Sequence, residues 1–537
     1  VVMVPTINSS GVITAYTVEC AGETAVSTAW GNRLVGDAAS NPNPSFIGGR
    51  INDVFFFKNR LGLLTDGAVI FSEADEYFNF FRTTVLTLLD GAPIDVGIAH
   101  TKVSLLQHAV PFQEKLVLFS PQSQFVLRGT DLLTPKTVNI SPITEYDVDE
   151  DVDPLALTNF VYFSFKRGGY EGIYEFFVDK DTDVFDASEI TAQTPRYLPS
   201  PLRQLVGTPS EDVIVATSDD DLKNLYVYKY FWQNKEKIQS AWSTFTFGTE
   251  IAGVGFIDST LYVVTKDAGG TYLEELPMEV GLTDAGKDYV IHLDRRLDGA
   301  SLSDSFAASK TTITGLPYDP VGAVVYTKAG VRYPTTRVSA TSCSVAADVA
   351  SFVSHGGTVY RCIVGNTSAS VTEPGVGGSW ASYWVADSSV SAASAWSVGK
   401  GYSSRDDYWL GFEYDMEYEF STQTLKQPTE RGGKSTSHFT KQTLRNGAVD
   451  YADTGHFKIE VTPLYRDTYE YSFNPTNLGA DSVIGSLVLD DGSFRFPVHA
   501  KHDEVTMKIT SSSALPMKIL AAEFESFVTP RSQRYGG

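Results

Sequence analysis

Between Gly48 and about Met278 the sequence keeps returning to one short phrase: an apolar, aromatic run, a tight polar turn, then a second run. Ile51–Lys58, Arg60–Thr65 and Ala68–Ser72 make the first set, and Lys115–Ser120 with Gln124–Arg128 the second. Phe160–Phe165 with Gly172–Val178 follow, then Asp212–Thr217, Asn224–Phe231 and Ala241–Phe247. Val254–Ile257, Thr260–Thr265 and Thr271–Leu276 close the series. Such runs read as β-strands, because aromatic and β-branched side chains suit a pleated, half-buried surface. A small twisted sheet cannot cover both of its own faces. Sheets recurring every roughly 40–60 residues must therefore cover one another. This predicts a β-propeller-like domain over residues 48–281, with a pair of stacked β-sandwiches as the competing arrangement.

The flanking sequence also reads as β. Residues 1–47 end in the turn-rich run Asp37–Ser45, which marks a boundary. Residues 282–340 carry strand signals such as Thr311–Leu316 and Ala323–Lys328. Composition then shifts: 341–395 is rich in Ser, Ala, Gly and Val and nearly free of Lys and Arg. That pattern predicts a small β module inserted into a host β domain, which resumes over 396–425. There Tyr408–Phe420 alternates as one half-buried strand. Residues 426–537 show strand signals at Phe457–Pro463, Ser482–Leu489, Phe494–Val498, Glu504–Thr510 and Met517–Phe524, which predicts a β-sandwich. The expected fold is thus mainly β: a propeller-like domain, then sandwich-type domains with one inserted module. Glu73–Phe81 departs from it and is expected to form a helical turn that packs Tyr77, Phe78 and Phe81.

Charge narrows the function. Acidic residues number 65 against 42 basic, giving a formal net charge of −23. Nucleic-acid binders carry basic patches instead. No run approaches the roughly 20 apolar residues of a membrane-spanning helix, and no charged segment leads into an apolar stretch. The opening Val-Val-Met-Val-Pro lacks an initiator Met, which predicts further chain N-terminal to it. The three cysteines, Cys20, Cys343 and Cys362, suggest neither a disulfide framework nor a zinc site, and fit assembly in a reducing cytoplasm. The sequence has no nucleophile elbow, P-loop, zinc-protease motif or dinucleotide fingerprint. Its eight His residues are scattered. The chain is therefore read as a non-enzyme, with no catalytic residue, metal ligand or cofactor assigned.

Two features stand as binding candidates. Asp147, Asp149, Asp151 and Asp153 occupy alternate positions within Glu145–Asp153. Alternating Asp can wrap calcium, but such a loop also needs Gly at its sixth position and Glu at its twelfth. Val152 and Thr158 stand there, so a solvated acidic loop is the plainer reading. In the inserted module, Tyr360, Trp380, Tyr383 and Trp384 are spaced like a platform for sugar rings. The order Tyr, Pro, Trp-x-x-Tyr-Trp resembles small chitin-binding-type carbohydrate modules. A module this small must also build its own core from these aromatics.

Ile51–Gly62 (Ile-Asn-Asp-Val-Phe-Phe-Phe-Lys-Asn-Arg-Leu-Gly), Ser72–Thr84, Val110–Leu127, Leu133–Lys136 and Asp186–Pro199 resemble the tail tubular protein B, or nozzle, family of short-tailed bacteriophages. So do Ala521–Glu525 and Arg531–Arg534. The resemblance implies a homo-hexameric tube at the distal end of the virion tail, mounted on the tail tubular protein A adaptor beside the tail fibres. It implies closure before infection and conduction of the genome during ejection. Residues 1–47 would then end an N-terminal platform region, whereas the 341–395 insertion is not part of the family pattern. Viral DNA would be passing cargo, and acidic walls offer its phosphates no Lys or Arg contacts. Repulsion fades over about 8 Å at physiological salt, so only lumen-facing carboxylates count. Asp147, Asp149, Asp151 and Asp153 are the expected ones. The alternative is a tail protein that binds or depolymerises a capsule or cell-wall glycan on the host surface.

Overall fold

The computed structural model describes residues 2–7, 13–19, 30–98, 105–129, 132–179, 184–233, 236–279, 281–284, 289–307, 310–327, 332–339, 342–346, 352–355, 358–362, 378–382, 384–386, 408–428, 434–436, 440–475 and 489–530. Among the described residues the protein is mainly β, built from small antiparallel sheets. Among the described residues helix is limited to two single turns, Gly299–Ser301 and Trp380–Ser382. Val1–Glu279 and Val280–Gly537 form two compact units.

In the first unit a hairpin of Val2–Ile7 and Ile13–Glu19 precedes five antiparallel sheets, each built from consecutive strands. Sheet one holds Ile51–Phe57, Arg60–Thr65, Ala68–Phe71 and Ile94–Gly97 in that order. Sheet two holds His108–Phe112, Lys115–Ser120, Ser123–Arg128 and Asn139–Thr144. Sheet three holds Leu155–Leu157, Phe160–Arg167, Tyr170–Val178 and Phe185–Glu189, with Leu198–Pro199 added beside Tyr170–Val178. Sheet four holds Leu202–Thr208, Val213–Ser218, Asn224–Gln233 and Glu236–Thr246. Sheet five holds Glu250–Ile257, Thr260–Asp267 and Gly270–Pro277.

Each sheet covers the next, as the burial argument requires. Phe55, Phe57 and Phe71 of sheet one share a core with Leu116, Leu118 and Phe125 of sheet two. Phe119 and Val126 join Phe163 and Phe176 between sheets two and three. Tyr162 and Ile173 meet Ile214 and Tyr228 between three and four, and Val215 and Val227 meet Leu261 and Val263 between four and five. The first strands of successive sheets also touch one another in series.

Tight turns set the hairpin registers. Lys58-Asn59 and Gln113-Glu114 both run through positive φ, the mirror-image turn whose twist suits two antiparallel strands. Two glycines serve a different need. Gly62 lies opposite Phe55 and Gly172 opposite Phe165, and in each case the ring lies over the bare Cα. A Cβ on Gly62 would sit 2.2 Å from Phe55 Cε2, and one on Gly172 2.4 Å from Phe165 Cζ. The Glu73–Phe81 segment is not helical. Asp75 takes φ 63°, and Asn79 binds the Phe81 amide and the Glu73 carboxylate. Such local side-chain bonds compete with helix formation. Phe78 and Phe80 pack on Trp30.

In the second unit Asp294–Asp298, Tyr408–Phe412, Val324–Thr327 and Arg332–Pro334 form one sheet. Ser303–Ala307, Lys310–Thr314, Ser342–Ala346 and Thr336–Ser339 form another, so 342–346 pairs with strands on the host side of the expected insertion. Phe352–His355, Thr358–Cys362 and Trp384–Ala386 make a small separate sheet. The expected strand over 408–420 is two strands in two sheets: Met416–Glu419 pairs instead with Val505–Ser511. That second sheet, completed by Phe457–Pro463 and Tyr469–Phe473, shares a core with Asp490–Lys501, Thr440–Thr454 and Lys518–Pro530. Phe457, Ile459, Phe496 and Met507 lie at its centre. The strand signal at Ser482–Leu489 falls almost wholly outside the described residues.

Candidate functional site

The acidic run 145–153 joins the last strand of sheet two to the first of sheet three, and its carboxylates separate into two kinds. Asp147, Asp151 and Asp153 are exposed, whereas Asp149 is buried at 2% exposure. Period-two alternation fails here because Val148 and Val152 also turn inward. The Asp149 amide donates to the Ser164 carbonyl at 2.8 Å, and Asp149 Oδ1 accepts the Asp151 amide at 3.1 Å. Lys166 Nζ lies 2.8 Å from Asp149 Oδ1 and 3.1 Å from Asp151 Oδ2. The hydrogen bond that Lys166 donates to Asp149 leads the influences that hold the lysine's pKa above its ordinary value. A buried, paired carboxylate presents no charge to a lumen, so Asp149 is corrected from a lumen-facing residue to a structural anchor.

At the far end of the run His108 Nδ1 lies 3.0 Å from Asp153 Oδ1, and its Nε2 lies 2.9 Å from the Glu150 carbonyl. Tyr146 is fixed by Gln124, whose amide donates to its carbonyl at 2.9 Å and accepts its N–H at 3.0 Å. The run is therefore a strap laid across sheets two and three. Asp179, Asp181 and Asp183 repeat the alternate-Asp spacing in sequence, but 180–183 lie outside the described residues. Among the described residues no three His, Cys, Asp or Glu side chains converge to hold a metal ion.

Sheet three carries two further carboxylates that the alternating pattern hides. Glu171 and Glu175 share a face with Ile173 and are 1% and 2% exposed. Glu175 accepts from Tyr162 Oη at 2.8 Å and binds Lys237 Nζ of sheet four through both oxygens, at 2.8 and 2.6 Å. Lys237 also lies over the Trp232 ring, 5.0 Å from its centroid. Glu171 Oε1 accepts the Leu202 amide at 2.7 Å and Ser200 Oγ at 3.0 Å. Its Oε2 meets no partner among the described residues. Burial pushes the Glu171 carboxyl up, and the nearby Asp149 charge adds to the shift. The sequence signal for both residues was their parity with Ile173 on one strand; the distant partner Lys237 carried none.

In the small separate sheet Trp384 is only 5% exposed and lies opposite Cys362. Tyr360 and Trp380 pack against it, their rings edge to face at 5.3 Å. Tyr383 lies outside the described residues. A sugar ring needs an open aromatic face, so Trp384 is corrected from a glycan contact to the core of its own module. Tyr360 and Trp380 remain partly open.

A family model described as bacteriophage nozzle protein matches residues 21–535. The chain belongs to the bacteriophage nozzle protein family. That membership assigns it to the phage tail. Tail tubular protein gp12 of Escherichia phage T7 is 28% identical over 511 residues, 94% of this chain. The nozzle chain spans 59% of that relative's length. Among solved structures, Kluyveromyces lactis Hsv2 aligns over 54% of this chain and 82% of its own, at 10% identity and a TM-score of 0.28. The dihydro-heme d1 dehydrogenase NirN aligns over 63% and 66%, at 12% identity and 0.25. Superpositions this loose carry no argument about the nozzle protein's fold.

Proposed function

We propose that this nozzle-family chain is a structural, non-catalytic subunit, six copies of which ring the distal tail channel, close it before infection and pass the genome at ejection. The family match along nearly the whole chain carries this reading. It is supported by meander sheets stacked in series with their first strands adjacent, the arrangement a β-propeller uses. A tail tubular protein A adaptor above and tail fibres alongside are its partners, and assembly takes place in the host cytoplasm. Exposed Asp147, Asp151 and Asp153 suit a wall that must not hold DNA, since phosphate binding needs Lys and Arg.

Native mass spectrometry of the purified chain should give a hexamer, and incubation with capsule or cell-wall glycan should release no reducing ends. Catalytic turnover of a glycan would overturn the reading. Phages carrying Asp147→Lys with Asp151→Lys should eject DNA more slowly; unchanged ejection kinetics would remove those residues from the lumen.

A further inference from the structure

His108 begins the first strand of sheet two, is 8% exposed, and meets an acceptor at each ring nitrogen. A carbonyl oxygen can only accept, and so can an ionised carboxylate. A neutral imidazole has one N–H and cannot serve both. We propose that His108 is a charge-dependent strap: as an imidazolium it holds the segment 150–153 to sheet two, and loss of one proton lets that segment go.

The surroundings fit this chemistry. Asp153 supplies the carboxylate and the Glu150 main chain the carbonyl. From sheet one, Asp53 accepts the Ala109 amide at 2.8 Å and adds a further negative charge beside the ring. Burial pulls the His108 pKa down, but the bonds to Asp153 and the Glu150 carbonyl outweigh it, so the folded value lies above the ordinary one. The direction follows. The strap is fully closed below the ordinary histidine value of about 6.5 and opens as pH rises through the higher folded value. Asp153 is itself 94% exposed, so salt screens the pair and favours release. The strap spans the end of the fold where the first strands of sheets two and three meet.

The test uses the 537-residue chain with ¹⁵N-labelled histidine, the His108 signal being assigned by its loss in His108→Gln. Both ring nitrogens of His108 should be protonated at pH 6.5, with a midpoint above that. Hydrogen–deuterium exchange of the Asp151 amide, corrected for the intrinsic rate, should rise about tenfold between pH 6 and 9, the worth of one charge-assisted bond. In Asp153→Asn, a change at an exposed side chain, the midpoint should fall towards the ordinary value even if His108→Gln does not fold. A single neutral tautomer at pH 6.5, or a midpoint unmoved in Asp153→Asn, would overturn the proposal.

Discussion

Lys237→Ala should be among the most damaging single changes in the first unit. Among the described residues Lys237 is the cation that pairs with Glu175, and the side chains are 18% and 2% exposed. Removing the ammonium leaves the carboxylate inside with Tyr162 Oη at 2.8 Å and Ser188 Oγ at 3.5 Å. Breaking a buried pair by deleting one partner costs roughly 3–5 kcal/mol. Water can reach the partly open lysine site, so the low end applies, about 3 kcal/mol. At roughly 2–4 °C per kcal/mol for a domain of this class, the first unit should melt about 6–12 °C lower by calorimetry. The double variant Lys237→Met with Glu175→Gln removes both charges and should recover most of that loss. A Lys237→Ala shift under about 2 °C, or a double variant no better than the single one, would refute the reasoning.

Five further changes probe other parts of the fold. Gly172→Ala should cost roughly 1–3 kcal/mol by forcing the Phe165 ring off its seat. Gly248→Ala, with open space around it, should stay within about 0.5 kcal/mol in the same melts. Glu171→Gln tests the raised carboxyl. A buried acid favours its protonated form, so its contribution is full below the ordinary carboxylate range and is lost as pH rises through the folded value. The Gln variant should therefore match wild type below the ordinary carboxylate range and gain on it as pH rises through the folded value; lower stability throughout would contradict the shift. Trp384→Ala should unfold the small module, at a cost of roughly 3–5 kcal/mol, whereas Trp380→Ala should leave it folded when followed by circular dichroism.

Strand positions were legible because alternation and aromatic content report burial directly. Phe457–Pro463 and Arg60–Thr65 stand where the sequence places them. Sheet membership was not legible. Tyr408–Phe420 reads as one strand because alternation is blind to the bend at 413–415 that hands the chain from one sheet to another. The Gln113-Glu114 turn lacks the Gly or Asn that usually marks positive φ, so only its flanking strands point to it. The acidic run illustrates the same limit in electrostatics. Four like residues at even spacing suggest one role, yet Lys166 and two inward valines give Asp149 a different one. Aromatic spacing in the inserted module likewise cannot distinguish a platform from a core until Trp384 is seen covered.

Cryo-electron microscopy of intact particles bears most directly on the nozzle assignment. Density for the five sheets of the first unit should recur in six copies around the channel axis at the distal end of the tail. A lone copy, or copies placed away from the channel, would contradict it.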